Sequence, residues 1–290
     1  MSKKPRGFLY ILAVMCLASV LTGCKPSAQS PSGTPQVDDQ ETQRPAAITA
    51  APAPEATPTP APPTGPVTPY TFGTYVEEST PVEDSWFETA AFIGDSRTEG
   101  LKAYSGLQYG DFFFSRGMNV FRVDDANYKV VSINGQDYTI LEALALKKYN
   151  SVYIMMGINE LGYPLASYRS GLSKLLQRVN EIQPDAVIYL QTLPPVNEEA
   201  ARKNSLNESI NNANVAAFNQ VIVELATQYK VALVDTGAAY RDENGSLPAD
   251  LASDGVHFTP SAYRRWVDYM ASHTMSFQRF DESRKQGATP

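Results

Sequence analysis

Cysteine and histidine are scarce, with two of each among 290 residues, and that scarcity closes several routes at once. Cys16 lies inside an N-terminal apolar run and Cys24 just beyond it, so neither a disulfide framework nor a cysteine metal site is open to the folding part. His257 and His273 supply too few ligands for a metal hydrolase, and no metal or other cofactor is expected. Lysine and arginine build no extended basic cluster, and a net charge of −7 argues against nucleic acid or other polyanions as partners. No glycine-rich phosphate loop occurs. No serine sits in a Gly-x-Ser-x-Gly frame, which sets aside the nucleophile elbow of one large hydrolase fold. Internal repeats are absent as well.

The apolar run from Phe8 to Val20 is too short to span a bilayer. Lys3, Lys4 and Arg6 precede it and Leu21-Thr22-Gly23-Cys24 follows, so residues 1–23 read as a secretory signal. The last four residues resemble a lipobox, which implies cleavage before Cys24 and lipid attachment to it. The expected location is extracytoplasmic and lipid-anchored at the cell membrane, as for a bacterial lipoprotein, with the leaflet open. An uncleaved signal anchor or ordinary secretion is the alternative. Residues 24–70 hold 12 of the 21 prolines and almost no large apolar side chain, too little to offset the entropy of ordering. They read as a disordered linker that, at ~3.1 Å per residue, reaches on the order of 100 Å, or as a spacer of no set length.

From residue 71 to about 277 the composition becomes globular. Strands are expected at Ala90 to Ile93, Asp111 to Ser115, Ser151 to Met156, Ala186 to Gln191 and Val231 to Asp235. Between them, Tyr168, Leu172, Leu175, Val179 and Ile182 recur at helical spacing, as do Val215, Phe218, Ile222, Leu225 and Tyr229. Strands alternating with helices imply an α/β fold, a three-layer α/β/α sandwich on a five-stranded parallel sheet. Sites in such sheets form at the carboxyl ends of strands. Residues 278–290 are polar and read as a flexible tail.

Phe92-Ile93-Gly94-Asp95-Ser96 runs off the end of the first strand, and Asp254-Gly255-Val256-His257 lies in the segment after the last. A serine hydroxyl needs a base to remove its proton, and His257 is the candidate. Asp254, three residues earlier, is placed to accept from one ring nitrogen while the other faces Ser96. Asp95 reads as structural, bonding nearby backbone N–H groups. His273, near the end of a helix, is assigned no chemistry.

With these motifs the chain resembles the SGNH hydrolases, also called the GDSL esterases, over about Ala90 to Met270. Gly94-Asp95-Ser96 is similar to the family's first block, Gly117 to the glycine of the second, Gly157-Ile158-Asn159-Glu160 to the third, and Asp254-Gly255-Val256-His257 to the fifth. The resemblance implies a flavodoxin-like fold, Ser96, His257 and Asp254 as catalytic residues, and an oxyanion hole made by the backbone N–H of Ser96, the backbone N–H of Gly117 and the Asn159 amide. Taken alone, Asn159 reads better as a turn former after a buried strand, and Gly94 and Gly117 as ordinary loop glycines.

Two residues depart from the pattern. Arg97 stands where the family name has leucine, and Glu160 where aspartate is commoner. Arg97 either pairs with Glu99 or another carboxylate, or rests at the cleft edge and favours an anionic substrate. The expected activity is a serine esterase that removes acetyl or other short acyl groups from a carbohydrate or cell-wall polymer. O-acyl transfer and a lipid-directed esterase or lysophospholipase use the same chemistry; a non-catalytic glycan-binding module is the alternative of another class. Tyr104, Phe112, Phe113, Phe114 and Tyr163 are either sugar platforms or core residues.

Overall fold

The computed structural model describes residues 68–286. Five parallel strands form the centre: β1 (Ala90–Gly94), β2 (Asp111–Phe114), β5 (Ser151–Met155), β6 (Val187–Gln191) and β7 (Ala232–Val234). Their order across the sheet is β2-β1-β5-β6-β7, the doubly wound arrangement in which the chain reverses direction beside β1. All residues of β1, β5, β6 and β7 are buried, as a sheet covered on both faces requires.

Helices α1 (Ser96–Tyr104) and α6 (Tyr263–Ser272) pack together, as do α2 (Ile140–Ala145), α3 (Leu165–Ile182) and α5 (Asn212–Tyr229); a short α4 spans Glu198–Lys203. The three-layer α/β/α expectation holds. In α3, Tyr168, Leu172, Leu175 and Val179 are buried along one face, which is why a stripe of this spacing folds as a helix against the sheet. Across the sheet, Phe112, Phe92, Tyr153 and Tyr189 stack as a four-ring ladder with centroids 4.5, 5.2 and 4.5 Å apart. The ladder follows the register that pairs Phe92 with Phe112 and Tyr153, and Tyr153 with Tyr189. Phe112 therefore belongs to the core and not to a sugar platform, and Phe113 is buried too.

Three features depart from expectation. An antiparallel hairpin, β3 (Val131–Ile133) with β4 (Gln136–Tyr138), turns on Asn134 and Gly135, both at positive φ (52° and 80°). Asn-Gly is the dipeptide a two-residue hairpin turn favours, so the signal was present. At the carboxyl end, residues 277–286 form helix α7 (Phe277–Gln286) instead of beginning a flexible tail. Phe280 is wholly buried and meets Phe72 edge-on at 6.0 Å; a polar composition concealed this single anchor. At the other end the folded part includes Tyr70, which is buried, donates its backbone N–H to Ser283 Oγ at 2.7 Å, and accepts from the Leu233 N–H at 3.1 Å. The signal segment, Cys24 and nearly all of the proline-rich linker lie outside the described residues. No helix among the described residues is long and apolar enough to cross a membrane.

Candidate functional site

Ser96 is the first residue of α1, directly after β1. Asp95 caps this helix: its Oδ1 accepts from the Arg97 N–H at 2.9 Å, in agreement with the structural role expected of it. The backbone N–H of Ser96 is thereby one of the first-turn donors that a helix leaves without an internal acceptor, at the end where the macrodipole favours negative charge. Strand and helix approach so closely that a Cβ on Gly94 would fall 2.0 Å from Thr98 Oγ1 and 2.8 Å from the Met155 carbonyl oxygen. That contact, more than chain flexibility, accounts for glycine before the nucleophile position.

Ser96 Oγ lies 2.7 Å from His257 Nε2, and His257 Nδ1 lies 2.7 Å from Asp254 Oδ2. Asp254 Oδ1 accepts the backbone N–H groups of Val256 and His257 at 2.9 and 2.8 Å. Partial burial pushes the Asp254 carboxyl upward, but the hydrogen bonds from the His257 ring and from these two N–H groups outweigh it and hold the group well below the ordinary carboxylate range. An ionised carboxylate only accepts, so Nδ1 carries the imidazole proton and Nε2 faces Ser96 as acceptor.

A cleft of about 540 Å³ opens over this relay, and Gly117 and Asn159 line it along with Ser96, Asp254 and His257. Gly117 has φ +68°, with nothing within 4 Å of where a Cβ would project. Backbone conformation, not crowding, is what calls for glycine there. Asn159 follows β5 in a short 3₁₀ turn, and its Nδ2 donates to the Met118 carbonyl at 2.8 Å, which fixes the plane of the amide. Five separated residues expected to share a site are thus brought to one cleft at the carboxyl ends of β1, β2 and β5 and in the segment after β7.

Residues 92–265 match the profile of the GDSL-like lipase/acylhydrolase family. The chain belongs to this family. An N-acylneuraminate cytidylyltransferase of Streptococcus agalactiae is 29% identical over 114 residues, 38% of this chain and 24% of that protein. The chain spans about a quarter of that relative's length. Among solved structures, it is similar to a GDSL-like lipase from Bacteroides thetaiotaomicron at 15% identity and TM-score 0.47, covering 71% of this chain and 92% of that one. It is likewise similar to an acetyl xylan esterase at 16% identity and TM-score 0.46, covering 64% and 99%.

Family membership places the chain among the GDSL-like lipases and acylhydrolases. Its two departures from the family pattern are both interior residues. Arg97 is wholly buried, so it neither pairs with Glu99 nor rests at the cleft edge. Its Nε donates to the Val256 carbonyl at 3.0 Å and its Nη1 to the Pro194 carbonyl at 3.3 Å, while its guanidinium lies 5.3 Å from the centre of the Phe258 ring. The side chain immediately after the nucleophile position therefore grips the turn that carries His257. Glu99 instead takes a two-pronged ion pair from Arg116, at 2.6 and 2.8 Å, on the rim of the cleft. Glu160 is also wholly buried and accepts from the Val120 N–H at 2.7 Å. Sequence reasoning missed both functions. The only hint was that each departs from the residue the family pattern has at its position.

Proposed function

We propose that this protein is an extracytoplasmic, membrane-anchored esterase that removes acetyl or other short acyl groups from a carbohydrate or cell-wall polymer through an acyl-serine intermediate. The observation that carries the chemistry is the continuous relay of two 2.7 Å contacts from Ser96 Oγ through His257 to Asp254. In the first half-reaction His257 Nε2 takes the Ser96 proton as Oγ attacks the ester carbonyl. The resulting oxyanion is met by the Ser96 and Gly117 backbone N–H groups and the Asn159 amide. Collapse expels the alcohol, which receives the proton from His257; water then enters, gives its proton to the same nitrogen and attacks the acyl-serine, and collapse of that adduct breaks the acyl–Oγ bond, returns the proton from His257 to Ser96 Oγ and releases the carboxylic acid. Asp254 keeps the imidazole in the tautomer that both halves require.

The substrate reading draws on the cleft wall. Its lining is mixed: Glu99, Arg116, Asn159 and Ser253 stand beside the apolar surfaces of Ala103, Phe258, Pro260 and Tyr263 and the exposed ring of Tyr104. An aromatic face next to hydrogen-bonding groups suits a sugar, which offers C–H faces and hydroxyl edges. The Arg116 and Glu99 charges cancel, favouring a neutral ring over a polyanion. The partial match to enzymes named for N-acylneuraminate, a sugar acid, also supports a carbohydrate. Anchoring is supported by the Leu21-Thr22-Gly23-Cys24 sequence alone. Turnover of p-nitrophenyl acetate by the wild type and its loss in Ser96→Ala is the direct test; equal rates would sink the proposal.

A further inference from the structure

The two loops that carry Gly117 and Asn159 are joined by a pair of opposed hydrogen bonds. Asn159 Nδ2 donates to the Met118 carbonyl at 2.8 Å, and in the opposite sense the Val120 N–H donates to Glu160 Oε1 at 2.7 Å. Adjacent side chains of one loop thus grip residues 118 and 120 of the other, immediately beyond Gly117. Glu160 is wholly buried, and its second oxygen, Oε2, has no hydrogen-bond partner. Burying a carboxyl on these terms is costly, and packing alone would be served by an apolar side chain. Resting on the oxyanion roles given above, we propose that Glu160 is a positioning residue whose Oε1 holds the Gly117 loop against the Asn159 loop, so that their N–H donors converge on one point.

The electrostatics fit this role. Burial pushes the Glu160 carboxyl up to about 8, the negative charge of Asp95 adds to the effect, and the Val120 N–H opposes it. The titratable groups acting on it are Asp95 at the head of α1 and Tyr168 on α3. At neutral pH the side chain is therefore an uncharged acceptor. It fixes Val120 without placing a negative charge behind the position where an oxyanion develops.

The test uses the full chain and p-nitrophenyl acetate. Glu160→Ala is expected to lower kcat on the order of 100-fold, the scale of losing an oxyanion donor, with KM changed less than about twofold because ground-state binding is untouched. Glu160→Gln keeps an acceptor of the same reach and should restore kcat to within about fivefold of wild type. Above about pH 8 the wild-type rate should fall as Glu160 ionises, whereas the Gln variant lacks that fall. Should Glu160→Ala fail to fold, Val120→Pro removes the same bond from its other end. Position 120 opens a 3₁₀ turn and follows an extended Asn119, so proline fits there. Val120→Pro should reproduce the loss in kcat. An unchanged kcat in the Ala or Pro variant, a Gln variant as slow as Ala, or coincident pH profiles would overturn the positioning role. Those results with an inactive Ser96→Ala would reject Glu160's role alone; an active Ser96→Ala would reject the functional reading beneath it.

Discussion

The proposed acid-base turn and the proposed oxyanion rim border one cleft, but they are built by different means. Between Ser253 and His257 the turn closes on itself: Asp254 accepts from Val256, from the His257 N–H and from the His257 ring, and the Ser253 N–H donates to the His257 carbonyl. The rim has local turns as well, from the Met118 N–H to the Ser115 carbonyl and from the Glu160 N–H to the Gly157 carbonyl, but each stays within its own loop. The two bonds that join the loops link residues 40 and 41 positions apart, Val120 to Glu160 and Asn159 to Met118. A self-closed turn carries its geometry wherever the fold places it, whereas a bridged rim exists only once both loops have docked. Damage to the first should therefore be chemical and confined, and damage to the second should be geometric.

The sharpest way to break this contrast is Asp254→Asn. Its remaining carbonyl oxygen can still accept the Val256 and His257 N–H groups, so the turn persists. The ring, however, loses the anionic acceptor that sets its tautomer. We expect kcat to fall on the order of 10³ to 10⁴-fold with a circular dichroism spectrum like the wild type's; a spectrum of a disrupted fold would show that the turn is not self-sufficient. The same carboxylate gives a pH signature. Its pKa in the folded state lies below the ordinary 3.8, so the stability it contributes is present above that value and is lost as pH falls through and below it. The melting-temperature advantage of wild type over Asp254→Asn should hold at neutral pH and shrink below about pH 4. An advantage that persisted undiminished in acid would contradict the linkage.

The same division decides what could be read from sequence. The strands and the long helices followed from apolar periodicity, because each pattern is complete within a few residues; the flavodoxin-like arrangement of the sheet was implied by the family resemblance. Gly94-Asp95-Ser96 and Asp254 to His257 stood out because their geometry is local. Arg97 and Glu160 did not, because their meaning lies in partners far along the chain: Val256 and Pro194 for the first, Val120 for the second. Helix α7 was hidden for a related reason. Its docking depends on Phe280 meeting Phe72, more than 200 residues earlier, and nothing in a polar 278–286 stretch announces that contact. The β3–β4 hairpin is the exception: Asn134-Gly135 is a turn signal complete within two residues.

Arg97 joins the acid-base turn to the start of α1 and to Pro194 after β6, and tests whether the turn is as independent as its internal bonds suggest. Arg97→Leu, which installs the family's commoner residue, fills most of the volume but strips donors from the Val256 and Pro194 carbonyls. Unsatisfied buried carbonyls cost about 1–3 kcal/mol each, and the relief of no longer burying a charge offsets part of that. A net loss of about 2 kcal/mol in urea denaturation is expected. Because Val256 adjoins His257, a fall in kcat of about tenfold should accompany it. Full kcat with lowered stability would mean that the turn needs no outside support, which would deepen the contrast with the rim.

The smallest effect on chemistry should come from the cleft edge, where Tyr104 and the Glu99–Arg116 pair touch neither relay nor rim bonds. Surface ion pairs contribute little to stability, and the Tyr104 ring is more than half exposed, at 56%. Removing either should leave the fold intact. With p-nitrophenyl acetate, which extends little beyond the reacting ester, Tyr104→Ala and Arg116→Ala should alter kcat/KM by less than about twofold. With an acetylated oligosaccharide the leaving alcohol is a sugar ring that extends past the acyl carbon. If the ring stacks on Tyr104, Tyr104→Ala should raise KM by about tenfold at unchanged kcat, the pattern of lost uniform binding. Arg116→Ala should give a smaller rise, since water can replace its hydrogen bonds at an exposed rim. An identical response of the small ester and the glycan would remove the cleft edge from substrate recognition and leave the relay and rim as the whole of the site.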